Sequence, residues 1–381
     1  MEICPGELYN TVMFKFLNLQ PEVFAIDIND LSLKIALIKK RRRGFELVSY
    51  GDTPLRPGVV KEGMIRDEDA LARTIKLACR SVNGKKLGAR HVIVALPEEK
   101  SFSQVIQMPV MNEKELAGAV PFEVENYIPL PIEKVYLDFT VIGSHEKTAK
   151  QNHLDLLVNA AAKTVVDAYV ASIKKAGLIP CILEAESQAI ARALLQNTKQ
   201  EKPMIFIDFG ETRTSFIIYS GNSIRFTSSI AISSGQLTQA IAKKLGISFD
   251  KAEALKIKHG LATKKGDANH DIVSVMDPIL SDLAMQIKKY ISFYQGHISY
   301  EYFSADSGIE KMVLSGGGAN LKELPDFLEK KLKIPVRLGD PVSNIFGSVP
   351  AAHRKIPLQK ALSFTTVLGL ALRGADRAQI P

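Results

Sequence analysis

No apolar run in the 381 residues approaches the ~18–20 that a membrane-spanning helix needs. The longest candidates, His91–Pro97 and Thr365–Leu372, have the length of a strand or a short helix. A signal peptide is also missing: Thr11–Leu19 is apolar but interrupted by Lys15 and Asn18, and no basic segment precedes it. Cysteine is scarce. Cys4, Cys79 and Cys181 are odd in number and far apart, and no CxxC occurs. Neither a disulfide framework nor a zinc ribbon is indicated, and a reducing cytoplasm is the expected compartment. The seven histidines are scattered with no HExxH, which leaves metalloprotease chemistry without support. What is present is ordinary for a soluble globular chain, with 46% hydrophobic and 24% charged residues. That excludes a disordered tail, a collagen and a coiled coil. At about 100–200 residues per domain, the length implies two or three domains. The net charge of +8 suits nucleic acid, an acidic partner or an anionic membrane surface, and does not choose among them.

Phe24–Ile28 and Leu33–Ile38 read as strands, and Phe45–Tyr50 as a third. Between the last two stands the block Lys39-Lys40-Arg41-Arg42-Arg43-Gly44, which predicts a hairpin tip. Charge runs are usually solvated; contact with acidic lipid headgroups is the functional reading. Without interleaved aromatics, a nucleic-acid platform is not expected. Asp67 can cap a helix over residues 67–82. Asn112 and Glu115 form a capping box for a helix over 111–127, which Pro121 should kink or split. With strands at His91–Leu96, Tyr136–Ile142 and Asp155–Ala160, a polar loop Gly143–His153 and a helix stopped by Gly177, residues 90–179 read β-α-β-β-α, a unit with its own sheet. The polar stretch Gln196–Pro203 connects two halves, and Gly260–Asp271 is a second polar loop. A long helix with Pro278 at its first position carries the apolar stripe Leu280, Leu283, Ile287, Ile291 and Tyr294, read as core.

An internal repeat is the strongest signal. Phe24-Ala25-Ile26-Asp27-Ile28-Asn29-Asp30 and Ile205-Phe206-Ile207-Asp208-Phe209-Gly210-Glu211 are both apolar strands ending in Asp and followed by a turn and a second strand. A repeat so widely spaced implies duplicated domains. A third element, Val313-Leu314-Ser315-Gly316-Gly317-Gly318, is a strand running into three glycines. Glycines let a backbone approach a flat ligand closely, and amides at a following helix start can face an anion.

These three elements resemble the actin-like ATPase superfamily, which includes actin, DnaK-type chaperones, sugar kinases and FtsA. The resemblance implies an α/β fold of duplicated actin-like (ribonuclease H-like) domains with an inserted β-α-β-β-α subdomain in the first half. The expected division is an extension at 1–21, a first half at 22–89 and 180–200, the insertion at 90–179, and a second half at 203–381 whose smaller subdomain spans 236–304. The resemblance also implies bound ATP and Mg2+. Asp27, Asn29 and Lys34 look like the first phosphate loop, and Asp208, Gly210 and Thr212 like the second. Asp27 and Asp208 would hold magnesium through water. Gly316, Gly317 and Gly318 look like the adenosine segment, and Glu253 and Lys256 match the FtsA-type A-E-x-x-K helix that touches ribose and base. Glu184 or Glu186 matches the acidic residue leading into the connecting helix and is the catalytic candidate.

Within the superfamily, Leu96-Pro97-Glu98, the stretch from Glu123 through Tyr127-Ile128-Pro129-Leu130-Pro131-Ile132-Glu133, Leu137-Asp138-Phe139 and Leu368–Gly374 are similar to the PilM family of type IV pilus assembly proteins. That resemblance implies a cytoplasmic adaptor, peripheral to the inner membrane. It would bind the cytoplasmic tail of a PilN-like single-span protein between the insertion and the first half. Pilus motor ATPases are further partners to consider, Lys39, Lys40, Arg41, Arg42 and Arg43 would add a membrane contact, and nucleic acid is not expected. The chain departs from the family at its phosphate loops. Where the first loop has D-x-G-S, this chain has Asp27-Ile28-Asn29-Asp30, and Glu211 follows Gly210 in the second. A carboxylate ~4 Å from a phosphate charge costs about 4 kcal/mol at an effective dielectric of ~20. Lys34 and Arg213 are possible compensating cations. The expectation is therefore weakened ATP binding and at most weak ATPase activity. Other readings are an FtsA-like membrane-tethering polymer, an actin-fold small-molecule kinase, and a type II secretion cytoplasmic assembly component. The short polar tail Ala375–Pro381 speaks against the first, the lack of a sugar-recognition segment against the second, and the lack of a fused span against the third. A last expectation is that Met1–Gln20, with its Phe16-Leu17-Asn18-Leu19-Gln20-Pro21 run, is either a frayed terminus or a mimic of the partner's tail.

Overall fold

In the computed structural model, which describes residues 21–42, 44–148, 151–195, 202–262, 270–297, 308–347 and 355–376, every residue of the first strand, Val23–Ile28 (β1), is buried. Such a strand needs apolar cover on both faces. It pairs antiparallel with β2 (Ser32–Arg41), which pairs with β3 (Gly44–Pro54). After a two-stranded ribbon, β4 (Val60–Lys61) and β5 (Met64–Ile65), comes α1 (Glu68–Arg80). The Asp67 carboxylate caps α1, accepting from the Ala70 amide at 2.8 Å. Then follow β6 (Asn83–Gly84) on the outer edge of β3 and β7 (His91–Leu96) parallel to β1.

The next stretch builds a different sheet. Strands β8 (Ser101–Pro109), β9 (Val135–Thr148) and β10 (Gln151–Ala162) lie in the order β8-β10-β9, all antiparallel, with α2 (Glu113–Val124) between β8 and β9 in the chain. Leu116, Val120 and Val124 of α2 share a buried core with Ile106, Leu156 and Val158. The capping box forms as expected, Asn112 Oδ1 accepting from the Glu115 amide and Glu115 accepting from that of Asn112. Pro121 does not split the helix. It removes one bond to the Ala117 carbonyl, but Ala117 is exposed and water can take that place. The expected loop Gly143–His153 is mostly strand, since β9 runs to Thr148 and β10 starts at Gln151.

Helix α3 (Lys163–Lys175) follows, then β11 (Ile179–Ala185) parallel to β7 and α4 (Glu186–Leu194). Gly177 supplies the left-handed stop after α3, with φ +84°. Tyr169 and Ile173 of α3 and Val92 and Val94 of β7 join the core of β1 and β2. The segment with its own core is therefore β8-α2-β9-β10. It is narrower than residues 90–179, because β7 and α3 carry their apolar faces to the first sheet.

The second unit begins with β12 (Met204–Phe209), β13 (Thr214–Ser220) and β14 (Ser223–Ile230), three antiparallel neighbours. On helix α5 (Ser234–Leu245) pack both α6 (Phe249–His259) and α7 (His270–His297), and then come β15 (Lys311–Ser315), α8 (Leu324–Leu332) and β16 (Val336–Leu338). The α7 stripe Leu280, Leu283, Ile287, Ile291 and Tyr294 is buried as expected. Pro278 lies inside that helix, not at its start. Within each unit the sheet topology is the same. Order β11-β7-β1-β2-β3 has two parallel strands beside an antiparallel three, and order β16-β15-β12-β13-β14 repeats it. This is the duplication that the Asp-ended repeat implies.

The chain ends with α9 (Ser343–Phe346), α10 (Leu358–Leu362) and α11 (Thr365–Ala375). Residues 1–193, 342–355 and 366–381 form one compact unit, and residues 194–341 and 356–365 the other. The late segments thus return to the first unit, where the sequence reading had placed them in the second half. Residues 1–20, 196–201 and Arg43 lie outside the described residues, and with them the N-terminal extension and most of the expected connection. Helix α11 reaches the first unit through Gly369, where a Cβ would fall on the Ala189 carbonyl oxygen of α4. Gly369→Ala is expected to lose about 1–3 kcal/mol through overpacking, read as a lower midpoint in thermal or urea unfolding. An unchanged midpoint would show that the two helices can part without cost.

Candidate functional site

The two Asp-ended hairpins close in the same way. Ile28 pairs with Leu33 and Phe209 with Thr214, leaving four-residue loops, 29–32 and 210–213. In each, the first residue's amide donates to the fourth residue's carbonyl at 2.9 Å, Asn29 to Ser32 and Gly210 to Arg213. A Cβ at Gly210 would lie 2.8 Å from that Arg213 oxygen, so glycine there permits the closer loop, whereas Asn29 serves in the first.

In the first loop Asp27 is buried, and its Oδ2 accepts from Asn29 Nδ2 at 3.1 Å. Its Oδ1 is buried with no hydrogen-bond partner. Burial pushes the Asp27 pKa above the ordinary carboxylate value; Lys34 and the Asn29 bond pull it down, and Asp52 pushes it up. The register places Lys34 directly opposite Asp27 on one side and Asp52 on the other. The Lys34 ammonium donates to Ser32 Oγ at 2.8 Å. This orphaned carboxylate oxygen beside a buried cation suits a water-bridged Mg-phosphate group.

Asp30 is used differently from the sequence expectation. Its two oxygens accept from the Glu62 and Gly63 amides, each at 2.9 Å. Those residues form the β4–β5 turn, with φ +51° and +70°. A Cβ at Gly63 would come within 2.7 Å of the Pro97 ring, so only glycine allows this seat. The Gly63 carbonyl accepts from the Tyr169 hydroxyl at 3.1 Å. Burial pushes the Tyr169 pKa well up, and Glu186, Asp27 and Asp30 push it further. The Asp30 carboxylate is thus a clasp on the neighbouring turn. In the second loop Glu211 is exposed, and its carbonyl accepts from the Gly235 amide at 3.0 Å. Thr212 and Arg213 are half-buried. The repulsion argument loses its Asp30 part, since that carboxylate is turned to the neighbouring turn, while Glu211 stays exposed beside the second loop.

Asp208 accepts from Ser315 Oγ at 2.7 Å, which ties β12 to the strand before the glycines. Gly316 has φ +84°, and its Cβ would lie 2.5 Å from the Phe209 carbonyl oxygen. A Cβ at Gly318 would lie 2.6 Å from the Phe209 ring. Packing requires both glycines, against β12 and, for Gly318, also against Ser234 of α5 at 2.8 Å. Gly317 is exposed, with only Ser363 near at 3.8 Å, and is the one that leaves open space for a ligand. Lys256 departs from its expected role. Its buried ammonium donates to Ser234 O (3.0 Å), Ser234 Oγ (2.8 Å) and Thr238 Oγ1 (2.8 Å), and pairs with Glu253 Oε2 at 2.7 Å. No donor is left for a ribose. Lys256 braces α6 on the start of α5, and Thr238 also donates to Glu253. Half-buried Glu253 keeps a second oxygen that these bonds do not use.

The two acidic candidates for catalysis separate clearly. Glu184 is buried between two guanidiniums. Arg192 donates to Oε1 at 2.6 Å and to Oε2 at 3.0 Å, and Arg373 of α11 donates to Oε2. Burial alone would raise the Glu184 pKa, but Arg192 and Arg373 together hold it below the ordinary carboxylate value. A carboxylate so held is an anchor and a poor base. Glu186, half-buried at the start of α4, accepts from the Glu98 amide at 3.4 Å, while Glu98 accepts from the Ser187 amide at 3.1 Å. Sequence reasoning missed Arg192 and Arg373 as partners; the signal was the arginine that directly follows the apolar run Leu368–Leu372.

A pocket of about 90 Å3 opens where the inserted sheet meets the C-terminal ends of β7 and β11. Its walls include Tyr136, Asp138 and Thr140 of β9, Asn159 of β10 and Gln188 of α4. Asn159 Oδ1 accepts from Ser103 Oγ at 2.8 Å and Gln188 Nε2 at 2.9 Å. It lies between the inserted sheet and the first sheet.

Two substitutions test these assignments. Glu184→Gln is expected to destabilise by about 3 kcal/mol, because a buried charge pair is broken on one side only. A depressed folded pKa contributes stability above the unfolded value, which is lost as pH falls through the folded one. The wild type should therefore lose this increment on acidification and the variant should not; parallel pH profiles in urea unfolding would refute the anchor. Asp30→Ser is expected to lower the midpoint by ~1.5–3 kcal/mol, as bonds to a charged acceptor are lost. Unchanged stability with tighter Mg-ATP binding would restore the repulsion reading.

The comparisons with known proteins agree with this geometry. A solved PilM–PilN type IV pilus biogenesis complex is 25% identical, with a TM-score of 0.78 over 93% of this chain and 99% of that one. The cell division protein FtsA of Neisseria meningitidis serogroup B is 24% identical over 328 residues, 77% of this chain and 78% of FtsA. The MreB5 protein of Spiroplasma citri bound to ADP is 12% identical, with a TM-score of 0.51 over 93% of this chain and 96% of that one, a likeness of fold alone. The duplicated sheets are those of the actin-like fold. Because the model for the type IV pilus assembly protein PilM matches residues 25–375, the chain belongs to the PilM family.

Proposed function

We propose that the chain is an adaptor of a type IV pilus assembly platform, holding the cytoplasmic tail of a PilN-like single-span membrane protein. The likeness to the PilM–PilN complex over nearly the whole chain carries this reading. The pocket beside β9, β10 and α4 is the seat we assign to the tail. Asn159, Gln188 and Thr140 offer polar groups to an extended backbone, and the C-terminal ends of β7 and β11 are where ligands of open α/β sheets commonly lie. Recruitment to the inner membrane by that partner is part of this reading; among the described residues no helix is long and apolar enough to cross a membrane.

The chain also retains the parts of a nucleotide site. Asp27, Asn29 and Lys34 would hold a phosphate group at the first loop, and Asp208, Gly210 and Thr212 at the second. Gly317 and Glu253 would face the nucleoside. Mg-ATP, when bound, would supply a polyphosphate with its own cation. In this reading Asp27 and Asp208 would reach the magnesium ion through water. Glu186 is the acidic residue left to position a water, and we propose at most slow hydrolysis.

Thr140→Arg fills the pocket from an exposed position and is expected to weaken binding of a PilN-type tail peptide at least about tenfold, ~1.4 kcal/mol, with unchanged unfolding. Fluorescence anisotropy with a labelled peptide reads this. Equal affinity would place the tail elsewhere. Asp208→Asn is expected to reduce Mg-ATP affinity in calorimetry; wild-type protein that takes up no nucleotide would remove this second part and leave the adaptor reading standing.

A further inference from the structure

The basic block leads to a surface larger than the block itself. Strand β2 carries Lys39, Lys40 and Arg41 to the end of the hairpin, and Arg42 begins the turn. Lys40 and Arg41 are exposed, with 60% and 53% of their side chains accessible. On the outer edge of β3 the fold adds more cations. β6 pairs Gly84 with Ser49 and runs antiparallel to β3, so Lys85 and Lys86 continue along β3 toward the tip, both exposed. Lys355 arrives from the other end of the sequence and donates to the Leu47 carbonyl at 3.0 Å and to Glu46 at 3.2 Å.

The carboxylates described at this edge are Glu22, paired with Lys39; Glu46, shared by Arg41 and Lys355; and Asp376, paired with Lys40. Three negative charges stand against seven positive ones, so the edge keeps a positive excess. Beside it lies a pocket of about 370 Å3 walled by Glu22, Lys39, Lys40 and Arg41 together with Val23, Ile38, Gly374 and Ala375. None of the exposed large apolar side chains lies on the hairpin or on β6. Among the described residues this edge therefore offers no exposed aromatic platform for bases. What remains is a cationic edge with a recess of headgroup size.

We propose that this edge docks directly on anionic phospholipid, with the pocket receiving a phosphate headgroup. Clusters of four to eight basic residues near a bilayer are attracted to acidic lipids. The choice of lipid over other polyanions rests on the proposed attachment to a membrane partner. The contact itself does not need that partner, and it is electrostatic, so it should weaken with salt.

The experiment is co-sedimentation of the full chain with vesicles that carry no protein. Binding is expected to phosphatidylcholine mixed with phosphatidylglycerol and not to phosphatidylcholine alone. It should fall steeply between about 0.1 M and about 0.5 M salt. The variant Lys40→Glu/Arg42→Glu/Lys85→Glu/Lys86→Glu should lose binding more than a hundredfold, since each cation contributes roughly fivefold. The control Lys330→Glu/Lys331→Glu, on exposed positions of α8, should keep most of it. Unfolding midpoint and tail-peptide affinity of both variants verify the fold and separate this result from the adaptor reading. Equal binding to neutral vesicles, no binding to acidic ones, or full binding by the tip variant would overturn the proposal. So would retention by duplex DNA that acidic vesicles cannot compete away.

Discussion

A single buried carboxylate organises the first unit. Glu184 sits at the end of β11, between a guanidinium from the next helix and one from the last helix of the chain. Removing three charges from water is costly, several kcal/mol per ion, and is offset only where geometry is good. Here Arg192 meets the carboxylate with both terminal nitrogens, and its Nη1 also reaches the Gly369 carbonyl at 3.1 Å. Those bonds set α11 against α4 at the one position where glycine admits it. The pocket wall beside Gln188 and the ends of β7 and β11 inherit their placement from this contact.

Much of the fold was legible because periodicity and capping are local. The Asp67 cap, the Asn112 box, the Gly177 stop and the α7 stripe need only a few neighbouring residues to be recognised. The duplication was legible for a different reason: the same strand-Asp-turn pattern stands twice, and the shared four-residue loops follow from it. The limits of the insertion were not legible. The apolar faces of β7 and α3 look alike whether they cover their own sheet or the first one, and only the packing decides. Pro121 misled because an exposed helix position tolerates a missing amide that sequence rules treat as a break, and Pro278 because the helix already runs from His270.

The candidate site divides along the same line. Asp27, Asp208 and the glycines were found from pattern, and Gly316 and Gly318 carry a packing role that pattern cannot separate from a ligand role. Lys256 and Glu184 fit motifs by spacing, yet their charges are consumed by partners distant in sequence: Ser234 and Thr238 for one, Arg373 for the other. Asp30 looked like a misplaced charge facing a phosphate. Its acceptors' work is done on two amides of a turn thirty-odd residues away, a contact that no local rule reveals.

The path of the chain has a consequence for its synthesis. The polypeptide passes from the first unit to the second, back at residue 342, across again at 356 and back at 366. During translation, β11 and α4 emerge long before Arg373. Until that arginine leaves the ribosome, Glu184 has Arg192 alone, and α4 has no α11 to cover it. N-terminal domains usually fold first as they emerge; here the earlier unit is the one that must wait. The nascent first unit would hold an open apolar flank through the making of the whole second unit, and its last step of folding waits for α11.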